Sequence, residues 1–254
     1  SLAHTIKLVG KDGSKIIPGK VGKTTTTVYP DANPESTSVD GYVRKSGATA
    51  VWATYRDATD GTAASDTDTS AGEMVEIGRN TNGQWEDFRR LIILFDASVS
   101  IPDTDTISAS TFSLVTPNAS KNANSPAQSV ALVSSNPASN TALGTADYDQ
   151  LGTTLFATAF SITSWTADGS TYNDMAMNAT GIAAISKTGV TKLGVRIESD
   201  RADSEPSFGA GSQYAYIGAV MADTAGTTTD PKLVVEHAAV AVVNHSTLLL
   251  MGAG

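Results

Sequence analysis

Residues 88–115 read FRRLIILFDASVSIPDTDTISASTFSLV, two strand-like runs joined by a polar loop. The first, residues 89–95, is a short apolar run of strand length. In the second, Ile107, Ala109, Thr111 and Ser113 alternate with Ser108, Ser110, Phe112 and Leu114. A period of two sends successive side chains to opposite faces of a sheet. Ile101-Pro102-Asp103 supplies the turn signal. The stretch is a β signature and holds no chemistry.

The pattern continues on both sides. Upstream, residues 40–44, 50–55 and 73–77 read as strands, with Trp52 as a core anchor, and Asn82-Gly83 is a hairpin-turn dipeptide ahead of residue 88. Residues 56–70 form an acidic loop. Downstream, strands are expected at 127–133, 172–177, 193–199, 213–220 and 231–236, with further apolar stretches at 147–151 and 153–162. Residues 178–187 are the one convincing helix, capped by Asn178 and followed by Gly189. At the N-terminus, residues 1–22 read as a strand, a turn and a second strand. Residues 23–29 are a β-branched run, and 30–38, with two prolines, a linker. Many short strands with one short helix predict an all-β fold, an antiparallel β-sandwich of jelly-roll type with terminal strand extensions. The expected division is an N-terminal extension and linker (1–38), a jelly-roll domain (39–237) and an apolar C-terminal tail (238–254).

A chain of 254 residues exposes roughly 10,500 Å² when folded against roughly 38,000 Å² when extended, enough for a large core. Aromatics make up 6% of the chain, so Val, Ile, Leu and Ala must build that core. The net charge of −9 argues against a nucleic-acid partner, which requires a concentrated basic face. Arg89-Arg90 reads as part of a solvated edge or face. Cysteine is absent, which excludes thiol chemistry and cysteine metal sites. No apolar run of about 18 residues occurs, so no membrane span is expected. A start at Ser1 and a Thr/Ser/Gly/Ala/Asn-rich composition point to an exported mature chain, extracellular or at the cell surface.

Residues 89–96 (RRLIILFD), Ile101-Pro102 and residues 106–114 (TISASTFSL) resemble the core motif of the DNRLRE-type jelly-roll domains, which often read "RSLIKFDLSSIP…ATISSATLSL". The helix at 178–187 with the following TGVTKLG, and AGTTTDPKLVV near the end, look like the second half of the same family. The resemblance covers about residues 39–237. It implies a secreted, cell-surface or phage-like structural protein, and some relatives are carbohydrate-binding modules. Leu94 stands where the family usually has lysine, and the DNRLRE string itself is absent, so no sugar-binding residues carry over.

Catalytic chemistry finds little footing. His4, His237 and His245 have no partners at metal-ligand spacing and read as surface or tail residues, and neither G-x-S-x-G nor H-E-x-x-H occurs. Glu86 and Asp87 are adjacent acids, which a regular strand sends to opposite faces, away from the paired geometry of glycoside hydrolysis. No enzyme activity and no catalytic or cofactor-binding residue is expected. Calcium is the one metal with candidates: Asp57, Asp60, Asp66 and Asp68 share one loop, and Asp200, Asp203 and Glu205 another. The simpler reading of both is a solvated acidic loop. Asn118, Asn178 and Asn244 fit the N-glycosylation pattern.

The apolar ends carry the functional expectation. Residues 240–251 are unusually apolar for a segment in water, and residues 2–8 pose the same question more mildly. Either can complete its own sheet or add a strand to a neighbour's. Leu2, Ile6, Leu8, Val240, Val242, Leu248 and Leu250 are therefore the expected subunit-interface residues, and copies of the chain itself are the expected partners. This describes a structural subunit of an extracellular or surface filament, fimbria-like and assembled head-to-tail by donor strands. The alternatives are a carbohydrate-binding module using Trp52, Trp85, Trp165, Tyr214 and Tyr216 as stacking platforms for glycans, or a phage or virion structural protein.

Overall fold

The computed structural model describes residues 22–81 and 83–240. Its first half contains β1 (Thr24–Val28), β2 (Asp40–Ala50), α1 (Trp52–Arg56), β3 (Ala63–Ser65), β4 (Ser70–Thr81), β5 (Gln84–Asp96) and β6 (Thr106–Val115). Then come β7 (Lys121–Asn122), β8 (Ser129–Ser134), a 3-10 turn (Thr145–Asp149), β9 (Phe160–Ser161), β10 (Tyr172–Ala176) and α2 (Ala179–Ala183). The chain finishes with β11 (Val190–Ile197), α3 (Glu198–Ala202), β12 (Gln213–Val220) and β13 (Lys232–Ala238). A small sheet in the order β1-β13-β6-β10 packs on a large one in the order β7-β12-β4-β5-β11-β8-β9, with β2 and β3 joined beside β5. All pairings are antiparallel, so the molecule is an all-β sandwich of jelly-roll kind, as its periodicity predicts.

β5 is the spine. Asp40 to Ser46 of β2 pair with Ile93 to Asp87 on one flank. The other flank is shared, Gln84–Arg89 by β4 and Leu91–Asp96 by β11. Leu91, Ile93 and Phe95 lie on the face turned to the small sheet, where Phe95 meets Phe112 edge-on at 6.2 Å between ring centroids. Phe88, Arg90, Ile92 and Leu94 lie on the other face and are equally buried, because short helices and loops cover it. Burial on both faces explains why RRLIILFD runs apolar instead of alternating, whereas β6 alternates along its first residues.

The outer cover corrects several expectations. Residues 50–55 do not form a strand: β2 ends at Ala50 and α1 follows. Trp52 and Tyr55, three apart, share a helical face and pack on Phe88 at 4.9 and 5.8 Å. In place of one helix, the described residues hold three short α-helices and the 3-10 turn, the last overlapping the stretch 147–151. The expected helix is present as α2, with Asn178 Oδ1 accepting the Gly181 N–H at 3.0 Å. The stretch 193–199 changes from β11 to α3 at Glu198, and Asp203 ends α3 with φ of 52°. Stretch 153–162 yields only the two-residue β9.

Arg90 is not a solvated residue. It is 2% exposed and donates to both Asp200 carboxylate oxygens, from Nε at 2.9 Å and Nη2 at 2.8 Å. Arg196 donates to the same two oxygens at 2.8 Å each. Arg90 also donates to the Tyr148 and Arg56 carbonyls and lies 4.1 Å from the Tyr148 ring centroid. Burial alone would raise the Asp200 carboxyl, but the two guanidiniums hold it down at about 2. One carboxylate thus joins β5, β11, α3, the 3-10 turn and α1.

The N-terminal region is also integral where it is described. β1, inside the expected extension, pairs with β13 from Thr24↔His237 to Val28↔Leu233. Within the expected linker, Asp31 Oδ2 accepts the Ser36 and Thr37 N–H groups at 3.0 and 2.6 Å, and the Asp31 N–H donates to the Ser38 carbonyl at 2.9 Å. The segment is a closed loop held by its own bonds.

Replacing Asp200 with Asn leaves two buried guanidiniums sharing a neutral partner. The expected loss is about 3–5 kcal/mol of unfolding free energy, read as a lower urea midpoint at unchanged m.

Candidate functional site

The first place with functional character is the end of the sandwich where the chain enters and leaves it. Thr24 is paired with His237, so the segments before β1 and after β13 attach side by side. His237 is buried, contrary to its reading as a surface residue. Its Nδ1 lies 2.6 Å from Asp105 Oδ2 and its Nε2 lies 2.8 Å from Thr26 Oγ1. This Asp–His–Thr order resembles a hydrolase triad in connectivity. Its hydroxyl, however, lies in the middle of a paired strand, and the chain of contacts pins β1 to β13. Lys23 adds an exposed ion pair to Glu236 at 2.9 Å. Of the expected interface residues, Val240 is described and is 57% exposed. Leu2, Ile6, Leu8, Val242, Leu248 and Leu250 lie outside the described residues, as do His4, His245 and Asn244.

The second is a polar cleft of about 240 Å³ bordered by Arg44, Ser46, Gly47, Glu86, Asp87 and Tyr214. Glu86 and Asp87 do not face opposite ways here. Asp87 pairs with Gly78 and Trp85 with Arg79, leaving Glu86 as the extra residue of a β-bulge. The bulge puts Trp85 and Phe88, three apart, on one face with centroids 5.5 Å apart. It turns both acids into the cleft. Tyr214 donates to Glu86 at 2.5 Å, and its ring lies against Gly78, where a Cβ would come within 2.4 Å of it. Arg44 Nε donates to both Asp87 oxygens, at 2.8 and 3.0 Å.

Beneath the cleft, Glu76 stands opposite Arg89 in the β4–β5 register. It is 4% exposed, and its Oε2 lies 3.5 Å from Arg89 Nε. Burial pushes its carboxyl up to about 8, with the Asp87 charge adding to the shift and Arg89 opposing it. The site therefore sets Glu76, its carboxyl raised by burial, beside an Asp87 that Arg44 clamps. Neither Arg44 nor Glu76 stands out in the sequence, and Arg89 does so only as half of the Arg89-Arg90 pair, because three different strands bring them together.

The expected calcium loops do not form a site as written. Asp57 pairs with Arg56, Asp60 accepts from Thr59, and Asp66 accepts the Leu143 N–H at 2.7 Å. Asp68 joins no such group. In the second set, Asp200 is the buried counter-ion, Asp203 accepts Trp52 Nε1 at 3.1 Å and Glu205 accepts Trp85 Nε1 at 2.7 Å. Among the described residues no three acidic or histidine side chains stand as a closed metal-ligand group. Asn118 is exposed on the loop after β6, whereas both polar atoms of Asn178 are engaged, its Nδ2 donating to the Leu155 carbonyl at 2.8 Å.

The tryptophans are core residues, which corrects their expected role as glycan platforms. Trp52, Trp85 and Trp165 are buried, and Trp165 Nε1 donates to Thr116 Oγ1 at 2.7 Å. Tyr214 and Tyr216 are half-buried. No helix among the described residues is long and apolar enough to cross a membrane. No known protein family matches the chain, and no curated protein matches it significantly.

Glu76 gives the fold a pH dependence of definite sign. Its carboxyl titrates near 4.5 in the unfolded chain and near 8 in the folded protein. Between those values the folded state holds a proton that the unfolded state lacks, so stability falls as pH rises through this window. The urea midpoint is expected to drop between pH 5 and pH 8.5, and Glu76→Gln to make that drop smaller, with the raised carboxyls of Asp40 and Asp230 supplying the remainder. Acrylamide quenching supplies a separate check: all three tryptophans are expected to be strongly protected in the native state.

Proposed function

We propose that the chain is a structural subunit of an extracellular or surface filament. A terminal segment of one copy adds as a strand to the next copy's sandwich, which is of the kind the DNRLRE-type resemblance suggests. The observation that carries this reading is the pairing of Thr24 with His237, which sets the start of β1 beside the end of β13. Of the two apolar segments, residues 240–251 follow β13 in the sequence and residues 2–8 precede β1 in it. β1 is the edge of its sheet, with β13 on one flank only among the described residues. Such an edge presents a row of backbone donors and acceptors to an incoming strand.

Charge supports the same arrangement. Up to residue 23 the chain carries Lys7, Lys11, Lys15, Lys20 and Lys23 against Asp12 alone, 5 − 1 = +4, while the whole chain is −9, so the remainder is −13. A basic arm on an acidic body attracts a neighbouring copy and weakens that attraction as salt rises. A contact of this head-to-tail kind does not close unless the rotation permits, and so it propagates as a fibre. The glycan-binding alternative loses its three indoles to the core.

The test is electron microscopy and light scattering of the full chain beside two truncations, one lacking residues 1–21 and one lacking 241–254. The full chain is expected to form filaments, more slowly at high salt, and at least one truncation to remain monomeric. Filaments from both truncations, or a full chain that stays monomeric at every salt concentration, would rule the proposal out.

A further inference from the structure

Among the described residues, every sheet edge but one is guarded. The large sheet ends on β7 and β9, two residues each, and β2 is flanked by the three-residue β3. On the small sheet, the outer strand β10 carries the exposed Asp174, whose carboxylate accepts the Ser113 hydroxyl at 2.7 Å. Just past it Met177 bridges to Ala157. Short length and charge are devices that keep an edge from pairing with another chain. β1 has neither. Its five residues, Thr24-Thr25-Thr26-Thr27-Val28, hold no charge and no proline, and they pair with β13 in unbroken register. Threonine and valine also favour the extended backbone that an incoming strand would meet.

The sheet behind that edge buries one face only. β10 and β13 alternate buried residues with half-buried or exposed ones, and on β1 Val28 is buried while Thr25 and Thr27 are exposed. Thr26 shares the inner face with Val28, its Oγ1 lying 2.8 Å from Nε2 of the buried His237. A strand added beside β1 must therefore be apolar on one side and polar on the other. Residues 2–8 (LAHTIKL) meet that requirement, because Leu2, Ile6 and Leu8 alternate with Thr5 and Lys7. Residues 240–251 do not. Val240 to Val243 and Leu248 to Met251 are unbroken apolar runs, which would set apolar side chains on the solvent face as well.

Building on the filament reading above, we propose that the free edge of β1 accepts residues 2–8 of a second copy as an added strand. Leu2, Ile6 and Leu8 turn toward the core between the sheets, and Thr5 and Lys7 toward solvent. Glu236 stands opposite Thr25 in the β1–β13 register and so shares that solvent side, where Lys23 already pairs with it at 2.9 Å. Lys7 brings a further positive charge to the same side, and the basic arm lies against the acidic remainder of its neighbour. The fifteen residues from Val9 to Lys23 reach up to roughly 50 Å when extended. A domain of this size is roughly 45 Å across, so the arm of one copy spans the distance to the next copy's edge. Each copy then gives one strand and receives one, which is the arrangement that propagates.

The test uses the full chain, which lacks cysteine, so engineered thiols report the contact without background. Thr5→Cys combined with Thr25→Cys, or with Thr27→Cys, sets two outward-facing thiols on neighbouring strands. On oxidation, at least one of these double variants is expected to give a ladder of disulfide-linked multimers, and Leu249→Cys combined with Thr27→Cys to give none. In the otherwise native chain, Ile6→Asp is expected to abolish filament growth while leaving the Tm of the monomer unchanged. Removal of residues 241–254 is expected to leave growth intact. A disulfide that closes only within one copy, or a ladder from the Leu249→Cys pair alone, would overturn the pairing. Growth that survives Ile6→Asp and stops on removal of 241–254 would overturn it too, with the filament itself still standing. A full chain that never polymerises removes both.

Discussion

The carboxylate of Asp200, held between Arg90 and Arg196, is the interaction on which the outer half of the molecule depends. Arg90 is on the central strand, Arg196 on its neighbour and Asp200 on the short helix that folds back across them. Through the Arg90 donations to Tyr148 and Arg56, the same centre fixes the 3-10 turn and α1. Tyr148 in turn donates to the Tyr55 carbonyl at 2.7 Å. Charges this deep contribute little net stability as a set, but they are expensive to leave incomplete. Their effect is to admit one arrangement of the short elements that roof the large sheet.

That roof lets a two-sheet sandwich bury both faces of β5. A bare sandwich has one core between its sheets. Here Leu91, Ile93 and Phe95 belong to that core, and Trp52, Tyr55, Trp85 and Phe88 build a second apolar layer outside it. With so few aromatics in the chain, placing these four in the outer layer leaves the inter-sheet core mostly to aliphatic residues, with Phe95 and Phe112 meeting across it. It also explains why the tryptophans offer no stacking surface to a sugar.

The β1–β13 ladder then divides the functional features between its two ends. At one end Thr24 pairs with His237 beside the His237–Asp105–Thr26 contact. At the other, the buried Asp40 accepts the Ala222 N–H through Oδ2 at 2.9 Å. A ladder five residue pairs long, about 17 Å, connects the two ends.

The strands were legible from residues 40, 106, 172, 213 and 232 onward because period-two alternation is local, and so was the Asn178 cap. The Trp52 helix was misread as a strand, since an apolar run of five residues does not disclose its period when aromatics three apart fit either reading. Glu86 and Asp87 were misassigned because a single bulged residue reverses the facing of everything before it, and nothing in QWEDF marks the bulge. The Asp200 centre was invisible because Arg90 and Asp200 stand 110 positions apart in the sequence. Sequence alone thus determined the all-β class and the presence of apolar ends, both properties of neighbouring residues. Which charges are buried, which acids meet and where the two ends emerge depend on strand pairings between distant residues, and only the tertiary structure decided them.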